Sequence, residues 1–431
     1  MTARTDKKKA DQQQHNQQHR RHKARVKKSI SAFAVTHPHA AGIDIGSKTH
    51  WVCVGYTANA EDNTAIREFS AYTDGLRAIV AFLLEHGVTS VAMESTGIYW
   101  IPLFELLEDE GFEVFLVDPS YTKQVKGRPK TDRRDCQWIY RLHHVGLLAA
   151  AYRPNGPTCA LRCHLRQRQS LIRYAGRHIQ HMQKALEQMN VKLTEVISDI
   201  TGVTGQKIIG AILDGERDPK NLAQLRDKNC KADAAEIARA LDGTWRDEHL
   251  FGLKLAYELW QTYQEKLNQT DARIAQQLSA MKREGPLPEL PPDSRKRDYK
   301  PNAPRFDVRQ AVYAVVGMDL LAIEGIADTT ALTLLAEIGG EVSKFATVQN
   351  FTSWLGLCPC LKKTGGKVKS SRTRPGVNRA AQALKLAANS LWQSKSAMGA
   401  YYRRMKARLG APQAITAAAH KLARRVYYAL K

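Results

Sequence analysis

Residues 40–56 read AAGIDIGSKTHWVCVGY, and they set a carboxylate inside an apolar run. The pattern is a strand, a glycine-bearing turn and a second strand. Asp44 stands between Ile43 and Ile45, where an unpaired charge would be costly. Outward from this point, TAIREFSAY reads as a third strand, and DGLRAIVAFLLEHG has the apolar spacing of an amphipathic helix. SVAMEST is a short apolar strand, IYWIPLFELLEDEG a helix, and FEVFLVDP a strand closed by Pro119. KTDRRDCQWIYRLHHVGLL then has helical spacing. Strands come first and α/β alternation follows, which predicts a mixed-sheet α/β domain over residues 40–150.

Three more carboxylates join Asp44 by position. Glu94 ends an apolar strand in VAMEST, and Asp132 and Asp135 lie three apart on a predicted helix, so both project from one face. Acids at the ends of two central strands, with such a pair laid against them, make a pocket for two divalent cations. Hard cations of the Mg2+ kind need oxygen ligands. Two of them held by shared carboxylates activate a nucleophile and stabilise the leaving oxygen in phosphodiester cleavage. Duller roles stay open for each acid alone. Asp132 and Asp135 flank Arg133 and Arg134, so surface ion pairs would also account for them, and Glu94 could cap a helix starting at Ser95-Thr96-Gly97.

The chain has 431 residues, enough for two or three domains, and 65 Lys and Arg against 42 Asp and Glu give a formal charge of +23. This excess is read as spread along the whole chain, and it favours a polyanionic partner, nucleic acid before a membrane surface. A 43% hydrophobic fraction supports real cores. No long apolar span or apolar leader is apparent, so no membrane partner is expected. Residues 1–39 are polar, basic and rich in Gln and His, and read as a disordered arm able to sit on phosphates. Seven cysteines without a CxxC pair point to a reducing cytoplasm and to buried free thiols.

Beyond the α/β domain, residues 151–284 have almost no strand signal. LRCHLRQRQSLIRYAGRHIQHMQKALEQM is a long helix with one basic side, and LKLAYELWQTYQEKLNQTDARIAQQLSAMK another with coiled-coil-like spacing. Residues 285–307 form a Pro-rich, charged linker, and residues 308–431 a last domain. Its opening, LLAIEGIADTTALTLLAEIG, resembles a helix-hairpin-helix, whose Gly-centred turn often meets a DNA backbone. Its end is Ala-rich helix studded with Arg and Lys. Between them KKTGGKVKSSRTR reads as a basic loop in which Lys362, Lys363 and Lys367 can neutralise phosphate.

GIDIGSKTHWVCV, AMESTGIYW and KTDRRDCQWI resemble, in order, the three acidic blocks of the DEDD-type insertion-sequence transposases, also called bridge-RNA-guided recombinases. FTSWLGLCPCLKKTGGKVKSSRTRPGVNRAAQALKLAA is similar to the C-terminal transposase domain of that family. The resemblance implies an α/β RNase H-like (RuvC-like) catalytic domain, a helical coiled-coil middle and a mostly α-helical C-terminal domain. It implies that Asp44, Glu94, Asp132 and Asp135 hold Mg2+, and that a hydroxyl from the C-terminal domain attacks a DNA phosphate to give a covalent intermediate. It further implies a homotetramer with composite sites made by two protomers, a bacterial, nucleoid-associated location, and a structured guide RNA that pairs with donor and target DNA. Composition shows no RNA partner; the basic helices only permit one.

One departure bears on the chemistry. The family's nucleophile is a serine directly before a glycine, and the matching residue here is Thr364. A threonine hydroxyl can serve when activated, although β-branching stiffens χ1 and crowds in-line attack. Ser370 and Ser371 follow closely as alternatives, and the segment could equally bind phosphate without reacting. Arg372, Arg374, Asn378 and Arg379 are expected against the DNA backbone on either reading. A recombinase is the leading function. A metal-dependent junction nuclease using water, or a non-catalytic nucleic-acid-binding protein, are the alternatives.

Overall fold

The computed structural model describes residues 34–55, 65–122, 131–292, 301–374, 376 and 378–431. Most of the basic arm expected over residues 1–39, and the middle of the expected linker, lie outside these described residues. The chain divides into two compact units, one up to Arg153 and one from Pro154 to Lys431.

In the first unit the order is β1 (Ala40–Ile45), β2 (Thr49–Val54), β3 (Ala65–Ser70), α1 (Thr73–Glu85), β4 (Ser90–Glu94), α2 (Ile101–Asp109), β5 (Glu113–Val117), the short α3 (Pro119–Thr122) and α4 (Asp132–His144). The five strands form one mixed sheet in the order β3-β2-β1-β4-β5. β1 pairs antiparallel with β2 and parallel with β4, while β5 extends the parallel side. Side chains of a strand alternate between faces. Ala41, Ile43, Ile45, Val91 and Met93 therefore share one face, where they bury against Ile79, Leu83, Leu103 and Leu107 of α1 and α2.

The opposite face of β1 and β4 belongs to α4. Cys136 and Tyr140 pack on Ala40, and Trp138 and Ile139 pack on Ala92. Gly42 is what lets α4 come so close: a Cβ there would lie 2.2 Å from the Tyr140 amide nitrogen and 2.6 Å from the Cys136 carbonyl oxygen. Helix and strand cross in backbone contact at this residue. The far end of α4 is anchored separately. Ser90 Oγ and His143 Nε2 are hydrogen-bonded at 2.8 Å, and His37 stacks on His143 with ring centres 4.4 Å apart.

The second unit holds α5 (Gly156–Gln188), α6 (Leu193–Val196), α7 (Val203–Leu213), α8 (Pro219–Ala223), α9 (Ala234–Leu241), α10 (Asp247–Ala280), α11 (Val308–Val316), α12 (Asp328–Ile338), α13 (Val348–Trp354), β6 (Lys362–Thr364), β7 (Lys367–Ser370), α14 (Arg379–Ser390), α15 (Ala397–Leu409) and α16 (Ala411–Leu430). The long helices α5 and α10 pack along each other, with a buried Arg168–Asp271 pair in their seam (Nε to Oδ1, 2.5 Å). Helices α7 to α9 close over one end of this pair around Ile208, Ile212, Leu222, Ile237 and Leu241. Arg162 of α5 donates to the carbonyls of Ala336 and Glu337, capping the end of α12. No helix among the described residues is long and apolar enough to cross a membrane.

Four sequence expectations are corrected. The first limb of the expected helix-hairpin-helix is only a 3-10 turn, Leu320–Ala322, started by the Asp319 side chain, which accepts from the Leu321 amide. Its glycine, Gly325 at φ 83°, packs against the end of α14, since a Cβ would lie 2.9 Å from the Ala387 carbonyl oxygen. The basic KKTGGKVKSSRTR segment is not simply a loop, because β6 and β7 pair across it. The thiols are not uniformly buried: Cys53 and Cys136 are, whereas Cys163 is exposed. Nor is the positive charge evenly spread. Residues 342–431 contain 18 Lys and Arg and no Asp or Glu.

Candidate active site

Asp44, the last residue but one of β1, is half-buried on the α4 side of the sheet. The β1–β4 register runs to Ile43 opposite Met93, so Asp44 and Glu94 are the next residues on neighbouring parallel strands. Asp132 and Asp135 occupy the first turn of α4, at the positive end of its dipole. A cavity of about 250 Å³ joins the two elements, lined by Asp44, the Gly46–Thr49 turn, Trp51 and Asp132. The turn is closed by the Gly46 amide donating to the Thr49 carbonyl at 3.1 Å, and a Cβ on Gly46 would sit 2.5 Å from that oxygen. Lys48 of this turn also lines the cavity and brings a cation to the acids.

Glu94 is fixed from another direction. The Thr122 hydroxyl donates to its Oε2 at 2.9 Å, and Trp138 Nε1 of α4 donates to the Thr122 carbonyl at 3.1 Å. Its carboxylate does not cap α2, whose start carries no side-chain cap. Beneath the acids, Cys136 keeps its proton. Its thiol is pushed well up by a hydrogen bond with the Cys53 side chain, then by burial and by the charges of Cys53 and Asp44. Cys136, the residue after Asp135, packs with Tyr140 against Ala40 and Cys53 on this side of the sheet.

The donors are all carboxylate oxygens, which suits a hard divalent cation in kind. The structure brings Asp44 and Asp132 to one cavity. Among the described residues, no three of His, Cys, Asp or Glu gather closely enough to hold an ion. Sequence reasoning missed Lys48, Thr122 and Gly42. Lys48 was in view, inside IGSKTH next to Asp44; Thr122 reaches Glu94 only through the fold.

In the second unit, Thr364 ends β6 opposite Lys367, across Gly365 (φ 55°) and Gly366 (φ 76°). Two consecutive positive φ values make a tight turn that suits the right-handed twist of a hairpin. Thr364, Lys362, Lys363, Lys367, Ser371, Arg372 and Arg374 are exposed, and Ser370 is half-buried, its hydroxyl accepting from the Arg372 amide. Asn378 uses its side-chain oxygen to cap α14 at Ala381, and Arg379 donates to Gln169 at 3.0 Å.

A family model described as a transposase, of the DEDD type found in IS110 elements, matches residues 41–191. A second, the Transposase IS116/IS110/IS902 family, matches residues 318–403. The chain belongs to the IS110-type DEDD transposases. The two matches together take in more than half of this transposase, with all four acids in the first and the Thr364 hairpin in the second. No protein among those with curated descriptions matches it. The mixed five-stranded sheet agrees with the RNase H-like fold of a DEDD domain. The protein is thus an insertion-sequence transposase, an enzyme acting on DNA.

Proposed function

We propose that residues 40–150 form the catalytic domain of this transposase, that Asp44, Glu94, Asp132 and Asp135 hold two Mg2+ ions, and that Thr364 supplies the attacking hydroxyl. The carrying observation is the shared cavity of Asp44 and Asp132, residues far apart in sequence that the Gly42 crossing brings together. The ions, when bound, polarise a phosphate and stabilise charge on its oxygens. Asp44 and Glu94 stand near the ends of the central strands β1 and β4, and the Thr122 hydroxyl donates to Glu94.

Thr364 Oγ forms a bond to phosphorus as the phosphorus bond to one deoxyribose oxygen breaks; the threonine proton ends on that departing oxygen, which becomes a hydroxyl, and a threonyl–DNA phosphodiester results. Attack by a deoxyribose hydroxyl of the strand to be joined releases the threonine again. No Asp or Glu follows Glu341, so no carboxylate from the last 90 residues can take the hydroxyl proton. The hairpin lysines and Arg372 and Arg374 offset phosphate charge beside the nucleophile.

The same reading includes a structured guide RNA, a homotetramer, a nucleoid-associated place in a bacterial cytoplasm, and α5 with α10 as a coiled-coil spacer over residues 151–284. It retains residues 285–307 as linker and 308–431 as the C-terminal transposase domain. The support is family membership, the exposed cations and the long packed helix pair.

The test is a denaturing gel of labelled element-end DNA with Mg2+. Thr364→Ser is expected to keep or increase a protein–DNA adduct, because serine lacks the γ-methyl, and Thr364→Ala to abolish it. Continued cleavage without adduct in Thr364→Ala would show water as the nucleophile. An adduct that persists in Thr364→Ala and maps to Ser370 or Ser371 would move the role there.

A further inference from the structure

The family matches end at Arg403, yet much of the basic surface lies beyond that point. On α15, Arg403, Arg404, Lys406 and Arg408 are exposed, with the small Ala400 and Ala407 exposed between them. On α16, which packs along α15, Lys421 and Arg424 are exposed; Arg425 faces Glu324 at 3.8 Å. With no Asp or Glu among residues 342–431, these cations have no acid within their own segment to offset them.

An aromatic ring borders this surface. Trp392 is 50% exposed, although most large apolar side chains of this region are buried. Lys406 Nζ lies over its ring at 5.8 Å. Arg403 donates to the carbonyls of Trp392 and Ser394, at 3.0 and 2.7 Å, which pins the backbone that carries the indole. Tyr401 is likewise covered by Lys421 Nζ at 4.3 Å. A half-exposed indole among cations offers aromatic surface to a base beside a phosphate-binding rib.

We propose that the α15–α16 face and Trp392 form a binding site for an unpaired nucleic-acid strand, separate from the Thr364 hairpin. The cations of α15 and α16 track the strand's phosphates, and an unstacked base lies on Trp392. An intact duplex would satisfy the cations but has no free base face for the indole, which is why the unpaired strand is favoured. The site goes beyond the proposed chemistry and does not depend on which residue is the nucleophile.

The test measures binding by the full chain without any cleavage step, so its failure and the failure of the proposed chemistry are distinguishable. Fluorescent oligothymidylate, oligouridylate and a dA·dT hairpin duplex are titrated by anisotropy. Trp392→Ala is expected to weaken single-strand binding about ten-fold and duplex binding by less than about two-fold, with Trp392→Phe retaining most affinity. Comparing the two single strands shows whether DNA or RNA is the better ligand. Replacing Arg404, Arg408 and Lys421 together by Gln should lower the oligothymidylate salt slope by about two units. Equal loss on duplex and single strand with Trp392→Ala, or no loss on either, overturns the proposal.

Discussion

Ile43 and Ile45 drive β1 into the core and leave Asp44 between them on the other face, so the placement of the acid follows from strand alternation. Its half-buried carboxylate is held close to Asp132 and above a protonated Cys136 thiol. If the charge exists to hold a cation, removing it alone should disable chemistry while sparing the fold. Asp44→Asn is expected to lower Mg2+-dependent strand cleavage by at least about 100-fold, since even outer partners of metal ligands cost up to that much. DNA affinity should stay nearly constant, because every exposed Lys and Arg is left in place, and the melting temperature should hold or rise as acidic repulsion is relieved. Cleavage retained in both Asp44→Asn and Asp135→Asn would end the assignment of these acids.

Helix α4 carries Asp132 and Asp135, two of the four acids proposed as ligands, and two features hold it. One is the backbone crossing at Gly42. Gly42→Ala puts a methyl 2.2 Å from the Tyr140 nitrogen, an atom of a rigid helix, so α4 must shift. Overpacking of this kind costs about 1–3 kcal/mol, and the shift should also reduce cleavage beyond what the lower melting temperature explains. Normal cleavage in a folded Gly42→Ala protein would show that α4 does not position the acids. The other feature is His143, whose pKa burial, then His37 and His144, hold down at about 3. In the unfolded chain histidine takes up a proton near 6.5. Between those values the unfolded state binds the extra proton, so this contribution is complete above about pH 6.5 and declines as pH falls toward 3, by at most about 1.4 kcal/mol per pH unit. His50, also lowered chiefly by burial, acts in the same direction. His143→Gln can keep a hydrogen bond to Ser90 without titrating, and should flatten the acid-side loss seen by urea unfolding between pH 7 and 5; an unchanged pH dependence would exclude His143 as its source. The order of these elements was legible in the sequence because each one states its own period, as AAGIDI does for β1 and the Asp132–Asp135 pair for α4. What holds Glu94 and His143 was not, since Thr122, Ser90 and His37 meet them only after the sheet closes. The β6–β7 hairpin was missed for a different reason. Short strands of exposed lysine show no apolar alternation, although two glycines in succession were the available turn signal.

At the scale of the molecule, the positive charge is concentrated in one segment of the second unit. Residues 342–431 carry a net +18 of the chain's +23, leaving +5 for the 341 residues before them. The composition total alone could not reveal this, and an even excess is the wrong picture of it. Counterion release makes this concentration measurable, because each phosphate contact on duplex DNA contributes about 0.9 to the slope of log affinity against log salt. If duplex binding is centred on the hairpin, replacing Lys362, Lys363 and Lys367 by Gln should reduce that slope by nearly three units. Lys207, Lys254 and Lys266 are just as exposed but lie in the nearly neutral stretch. The same triple replacement there should change the slope by less than about half a unit. Both proteins lose the same charge, so a difference between them reflects where phosphate is contacted and not the net charge of the chain. Equal slopes for the two triple variants would mean that the field of the whole molecule, not the C-terminal segment, governs DNA binding.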